Sequence, residues 1–366
     1  MKKYDVVVIG AGIAGAATAY FLKKNYGAHD ILVLEKGPAP ASGASGQNAG
    51  ILRQVVETIP IAGLARRTME FLSSPPDRFC ETPVLDQKGG FLTVRDGRDR
   101  RLDDFLRISM SAGVRVYPVD RMEVLKSIPI LDEARFVSAL YSPTDGVIDI
   151  NGLVRSFLRG IEVRISSEVT GFRCSDGKIE AVCAGGEEFA AGLFVIAAGA
   201  FSEGLGRLAG SDPPALEPRR RHLVFSSPVE GASPDWPYYW SMDPQLYFRY
   251  ESSGLLLSPC DETCMKPESL APSSEALSWL FDRIRMGAPK LVDIPVKRYW
   301  AELRTFAFDN NFLIGFDNKM KNLFWVTALQ GHGMTCSSAV GEMAAALISG
   351  GIPPMDHRPH SPARFS

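Results

Sequence analysis

Gly10-Ala11-Gly12-Ile13-Ala14-Gly15 carries three glycines at the spacing of a turn that holds a dinucleotide pyrophosphate. Glycine-rich turns recur in many folds, so the neighbours decide. The apolar run Val6 to Ile9 predicts a strand before the turn, and the Ala- and Leu-rich stretch Ala16 to Lys24 predicts a helix after it. A second apolar run, Ile31 to Leu34, closes at Glu35, 20 residues beyond Gly15. In that setting Gly10 permits the tight turn, Gly12 lets the phosphates approach the backbone, and Gly15 lets helix and strand pack closely. The helix start, with Ile13 and Ala14, offers unpaired N–H groups and a partial positive charge. Glu35, followed by Lys36, is placed to accept hydrogen bonds from ribose hydroxyls and to repel an extra ribose phosphate.

Two further segments separate a flavin from a nicotinamide. The loop from Ser42 through Gly43, Ala44, Ser45, Gly46, Gln47, Asn48 and Ala49 to Gly50 is built of small residues and could wrap a large flat cofactor. The stretch Gln330-Gly331-His332-Gly333-Met334-Thr335 joins an apolar run, Leu323 to Leu329, to the Ala-rich helix Ser337 to Ile348. A helix start aimed at the pyrimidine edge of a flavin would stabilise the negative charge that builds there on reduction. Both segments indicate FAD. Val169, Ala198 and Gly199, the last two ending the apolar run from Leu193, complete the expected cofactor contacts.

Substrate chemistry must come from the remaining polar groups. Arginine forks are the best holders of a carboxylate. Arg304, after the segment Trp300 to Leu303, and Arg220 or Arg221, in a run of arginines, are the candidates; a structural ion pair or a solvated basic face is the alternative for each. His332 could orient substrate or tune the flavin, or simply pack against the ring. His222 could border the pocket. No general base is evident, and none is needed if the substrate amine is neutral when hydride leaves.

The elements that must position these groups recur along the whole chain. Nucleotide-type strands and turns occur at its start, middle and end. Between them lie short strands and helices, such as Gly90 to Val94, Val114 to Pro118 and Asp103 to Ser111, and a β-rich stretch from Arg220 to Ser258. The expected fold is α/β, a Rossmann-like FAD-binding domain with a discontinuous, β-rich α+β substrate domain. Residues 1–80, 145–215 and 305–366 form the first, and 81–144 with 216–304 the second. Over 366 residues, 40 basic and 42 acidic side chains leave a formal charge of −2, which gives nucleic acid or an anionic surface no handle. The first apolar run is too short for a signal peptide or membrane span, so an intracellular, cytoplasmic protein without an integral membrane segment is expected. The six scattered cysteines lack the second pair or histidine cluster of a zinc site, and no metal is expected.

Taken in order, the GAGIAGA turn, the SGASGQNAG loop, Val195-Ile196-Ala197-Ala198-Gly199-Ala200 and the LFWVTALQGHGMT segment resemble the D-amino-acid oxidase family of FAD enzymes, which includes glycine oxidase, sarcosine oxidase and D-amino-acid dehydrogenases. The similarity is greatest to the D-arginine dehydrogenase branch. It runs through Ser74-Pro75-Pro76 with Phe79-Cys80-Glu81, Tyr141-Ser142-Pro143-Thr144, Leu158-Arg159-Gly160-Ile161, Pro218-Arg219-Arg220-Arg221 and Trp300-Ala301-Glu302-Leu303-Arg304. The resemblance implies noncovalent FAD, because the cysteine that tethers flavin in the sarcosine oxidases would fall near Glu302. Cys336 is expected in the first turn of the last helix, as a packing residue. The resemblance also implies an amino-acid substrate that gives hydride to flavin N5. Arg304 matches the family's carboxylate arginine, and Tyr247 in Leu246-Tyr247-Phe248 matches a tyrosine that caps the substrate.

Departures from that branch bear on the side chain. Its acidic residue for a cationic substrate would align near Gly90, which offers no carboxylate. Arg53 and Asn48 stand where aromatic or histidine groups line the pocket, and an arginine there would repel a cation. A neutral or acidic small amino acid, D- or N-substituted, is therefore expected. The alternatives are a 2-hydroxy acid, suggested by Gln47-Asn48-Ala49-Gly50-Ile51, and a flavin subunit of a larger electron-transfer complex. Electron acceptor, oxidase or dehydrogenase behaviour and stereochemistry stay open, as does the choice between monomer and small homo-oligomer.

Overall fold

A computed structural model describes residues 3–28 and 30–365; residues 1, 2, 29 and 366 of the expected FAD-binding segments lie outside these. Two large sheets organise the chain. The first has eight strands and is centred on Lys3–Ile9, flanked in parallel by Ile31–Leu34 on one side and Glu187–Ile196 on the other. Glu162–Arg164 extends it in parallel beyond Ile31–Leu34, and Leu323–Thr327 pairs in parallel with Glu187–Ile196. These central strands read as near-continuous apolar runs because helices cover the sheet: Val7, Val8, Leu32, Val33, Val195 and Phe324 are fully buried.

The helix Ile13–Tyr26 follows the first strand and packs along the last helix, Ser337–Ile348. Their approach is closer than any side chain would allow, since a Cβ on Gly341 would lie 2.6 Å from the Ala17 backbone. Gly333, just before the last helix, abuts Ile13. The starts of the two helices therefore sit side by side. The observed helix begins three residues before the expected Ala16, because the glycine turn leads straight into it.

The second sheet has nine strands. Its spine is the antiparallel pair Leu216–Ser226 and Val296–Ala307, whose register sets Arg219 opposite Arg304 and Arg221 opposite Glu302. Gly90–Val94 lies between Tyr238–Ser241 and Ser138–Ser142. The expected strand over Val114 to Pro118 forms later, at Tyr117–Val119, after the buried Val114 and Val116 have entered the core without pairing. A small third sheet of Ile51–Leu52, Leu85–Asp86 and Gly146–Ile148 lies between the large ones in the chain order. Among the described residues, no helix is long and apolar enough to cross a membrane.

Candidate active site

One cavity of about 1330 Å³ runs from the glycine turn to the face of the second sheet. That exceeds the roughly 300–1,000 Å³ of an ordinary small-molecule site and suits a dinucleotide with a substrate beside it. At its nucleotide end Gly10, Gly12, Ile13, Ala14, Glu35, Lys36, Ser42, Ser45, Asn48, Ala49, Val169, Ala198 and Gly199 form the wall. Gly15, Gly46 and Gly50 do not line it but shape it.

The backbone does most of the work at this end. Gly10 has φ +108°, and a Cβ there would lie 2.5 Å from the Ala197 carbonyl oxygen. A Cβ on Gly15 would overlap the Gly10 carbonyl at 2.0 Å. The Glu35 carboxylate accepts from the N–H groups of Ala11 (2.9 Å) and Gly37 (2.7 Å), which fixes it beneath the turn. Gly12 caps the first helix without a side chain of its own, and Ser45 Oγ accepts from the Ile13 N–H at 2.9 Å. Asn48 is spent on its own loop: its amide donates to the carbonyls of Ala44 and Ser45 and accepts from the Gly50 N–H. Lys36 lies over the Phe201 ring.

At the other end the wall is made by side chains: Arg53, Glu57, Arg221, Trp240, Tyr247 and Arg304, with the turn Gly331 to Thr335 beneath them. The Arg304 side chain lines the cavity and makes no hydrogen bond or ion pair with a described residue. Its guanidinium packs on Gly331, where a Cβ would come within 2.7 Å of Nη1. Burial and the neighbouring Arg221 lower its pKa to about 10. A partly buried cation repelled by another cation and in no ion pair with a described residue is a place for a ligand anion.

Strand alternation separates the two other arginine candidates. Arg221 faces the cavity side, where Nε donates to the Asp261 carbonyl and Nη2 meets Glu262, both at 2.7 Å, while Nη1 is buried without a partner. Arg220 takes the opposite face, donates to the Ala271 carbonyl and does not line the cavity. His222 is fully buried away from it. Nδ1 lies 2.7 Å from Asp261 and Nε2 accepts from the Ser273 N–H, so both ring nitrogens are committed to structure. Tyr247 packs against Trp240 with the rings tilted at 38° and centroids 4.5 Å apart, and its hydroxyl has no partner among the described residues.

The geometry corrects the electrostatic reading of Arg53. Its guanidinium is buried 4.4 Å from the Trp240 ring centroid and donates to Glu57 at 3.0 Å. The charge that was expected to repel a cation is thus offset through Nη2 by Glu57, while Nη1 is buried without a hydrogen-bond partner. Glu57, which sequence reasoning missed, is the residue that opens into the cavity, and its other oxygen lies 3.4 Å from His332 Nε2. Burial would raise the Glu57 pKa, but Arg53 and His332 hold it well below the usual carboxylate range. Burial lowers the His332 pKa, outweighing the opposing pull of Glu57. The arginine–x–x–x–glutamate spacing was the available signal, yet the chain from Arg53 to Thr58 is irregular and no helix rule applied to it.

Gly90 also has a packing explanation. A Cβ there would lie 2.1 Å from the Tyr238 ring, whose hydroxyl donates to the buried Asp145 at 2.5 Å. Tyr238 thus occupies the space an acidic side chain would need.

A family model described as FAD-dependent oxidoreductase, DAO, matches residues 5–347. The chain belongs to that family. It is an FAD-dependent oxidoreductase, and the glycine cradle at the nucleotide end fits the cofactor. The chain is 25% identical over 378 residues to 4-methylaminobutanoate oxidase (formaldehyde-forming) of Paenarthrobacter nicotinovorans, covering 98% of this chain and 45% of that protein. It is 23% identical to D-amino acid dehydrogenase of Granulibacter bethesdensis, over 99% of both chains. The fold matches the crystal structure of L-proline dehydrogenase from P. horikoshii with a TM-score of 0.89, at 23% identity over 100% of this chain and 98% of the other. The chain thus spans about half the length of some curated relatives and all of others.

Proposed function

We propose that this DAO-family enzyme oxidises the α-carbon of a small amino acid whose carboxylate is held by Arg304. The observation that carries this reading is the Arg304 guanidinium, half-buried in the cavity wall with no ion-pair partner among the described residues. The relatives, whose names include an N-methylamino acid oxidase and amino acid dehydrogenases, support the substrate class.

Each group has a role in this reading. Gly10, Gly12, the Ile13–Tyr26 helix start, Glu35 and the Ser42 to Gly50 loop hold the nucleotide half of FAD, and the Gly331 to Thr335 turn holds the flavin half. Bound there, FAD supplies the acceptor for the hydride of the substrate α-C–H. Arg304 orients the carboxylate, with Arg221 adding positive potential from behind. Tyr247 and Trp240 exclude water from the same end, which strengthens each charge interaction inside it. The FAD is noncovalent in this reading. No cysteine lines the cavity among the described residues, and the Cys336 thiol is buried against Ile61 with its pKa pushed up by burial. The division into an FAD-binding part (1–80, 145–215, 305–366) and a substrate-binding part (81–144, 216–304) is supported by sheet membership. Strands of the first sheet fall at residues 3–34, 162–196 and 313–327, and those of the second at 90–142 and 216–307.

The side chain is small and uncharged. Gly90 and Tyr238 leave no carboxylate at that position for a distal cation, and the Arg53 charge is offset by Glu57. The test is anaerobic addition of D-, L- and N-methyl amino acids and 2-hydroxy acids to the FAD-loaded protein, following loss of oxidised-flavin absorbance. Bleaching by a small neutral amino acid is the expected result. Bleaching by 2-hydroxy acids alone would overturn the reading.

A further inference from the structure

The carboxylate of an amino acid has its partner in Arg304, but its amine is unassigned. On the functional reading above, we propose that Glu57 receives the substrate's ammonium group, and that this contact selects amino acids over 2-hydroxy acids bearing the same carboxylate.

Position is the first argument. Arg304 packs on Gly331, the next residue is His332, and His332 Nε2 lies 3.4 Å from Glu57. A free guanidinium and a carboxylate thus flank one short turn, at the same end of one cavity, with opposite charges. That is the pattern a zwitterion needs.

Free valence is the second. A carboxylate has about four acceptor positions. Glu57 uses one toward Arg53 and one toward His332, and its side chain is 53% exposed, opening into the cavity. The cation that pairs with it is less accessible: Arg53 also lines the cavity, but its side chain is 7% exposed and lies against Trp240. The anion is thus the more open member of the pair to an incoming ligand. Glu262, another cavity-lining carboxylate near the arginines, is already engaged by both Arg219 and Arg221.

A hydroxyl could also donate to Glu57, but without the charge. A hydrogen bond to a charged group is worth about 10- to 100-fold in affinity, against about fivefold for a neutral one. Removing the charge of Glu57 should therefore weaken amino acids far more than ligands that carry only the carboxylate.

The test uses the FAD-loaded full chain as wild type, Glu57→Gln and Glu57→Asp. Gln keeps an oxygen that can accept from Arg53, and flavin content with thermal melting checks folding. Two ligands are compared: propionate, read by perturbation of the flavin spectrum, and an amino acid that bleaches the wild type, read by the concentration dependence of anaerobic reduction. The expected result is an amino-acid dissociation constant raised about 10- to 100-fold by Glu57→Gln and largely restored in Glu57→Asp. Propionate should stay within about threefold, the margin of a weak surface interaction. Equal weakening of both ligands would show that Glu57 acts only by holding Arg53, and would overturn the proposal. Unchanged amino-acid binding would overturn it as well. If propionate binds but no amino acid reduces the wild type, the functional reading falls together with this one.

Discussion

The two ends of the cavity are built on different principles. At the nucleotide end the wall is backbone, and its shape depends on atoms that are missing: no Cβ at Gly10, Gly12 or Gly15. At the substrate end the wall is side chain, and its shape depends on charges that are present and only partly paired. A backbone cradle suits a cofactor shared by a whole family. A wall of buried charges can be rebuilt residue by residue, so it sets which substrate is taken.

The sharpest way to break this contrast is to put a side chain into the cradle. Gly15→Val would drive a Cβ into the Gly10 carbonyl, with no flexible neighbour to yield. Complete loss of bound flavin is expected, measured as the ratio of flavin to protein absorbance after purification. Retained flavin would mean the turn is not under the constraint described here.

At the other end, Arg304→Met should leave flavin content intact and lower kcat/KM by roughly 10²- to 10³-fold, the usual loss for one partner of a buried charge pair. The melting temperature should hold or rise, because Arg304 is desolvated, repelled by Arg221 and unpaired before substrate arrives. Function and stability would then move in opposite directions at one residue.

A buried histidine outside the cavity supplies a control in which titration affects stability alone. His360 stacks on Phe312 with neither ring nitrogen bonded, and burial, the largest cause, lowers its pKa to about 4. The folded value lies below the unfolded one of about 6.5, so the unfolded chain binds the proton more readily. Its contribution, roughly 3 kcal/mol, is fully present above pH 6.5 and is lost as pH falls toward 4. Denaturant titrations of His360→Phe and wild type across that range should differ in slope, with the variant flatter. The smallest expected effect separates the adjacent arginines. Arg221→Ala should reduce kcat/KM by about tenfold, and Arg220→Ala by less than about twofold, since only the first faces the cavity.

This contrast also sets how much could be read from the sequence. The nucleotide end was legible because its rule is local: glycine spacing, a strand before, a helix after, and an acid at the end of the second strand. Arg304 and Tyr247 were reached through resemblance, and the structure puts both on the cavity wall. The choice between Arg220 and Arg221 needed the register of Leu216–Ser226 against Val296–Ala307, which no local pattern specifies. Glu57 was invisible for the same reason. Its partners, Arg53 and His332, are brought to it by an irregular segment and by a turn some 275 residues away. Without Glu57 in view, Arg53 read as a free positive charge, whereas the structure pairs it with Glu57. Gly90 read as a missing acid, whereas Tyr238 fills its place.

Arg304 is the cation at the substrate end left unpaired among the described residues, and binding of a simple carboxylate tests its role without requiring turnover. Propionate should perturb the flavin spectrum of the FAD-loaded wild type with a saturable dependence, and Arg304→Met should abolish the perturbation at the same flavin content. An unchanged dissociation constant in Arg304→Met would contradict the assignment and move the carboxylate site elsewhere in the cavity.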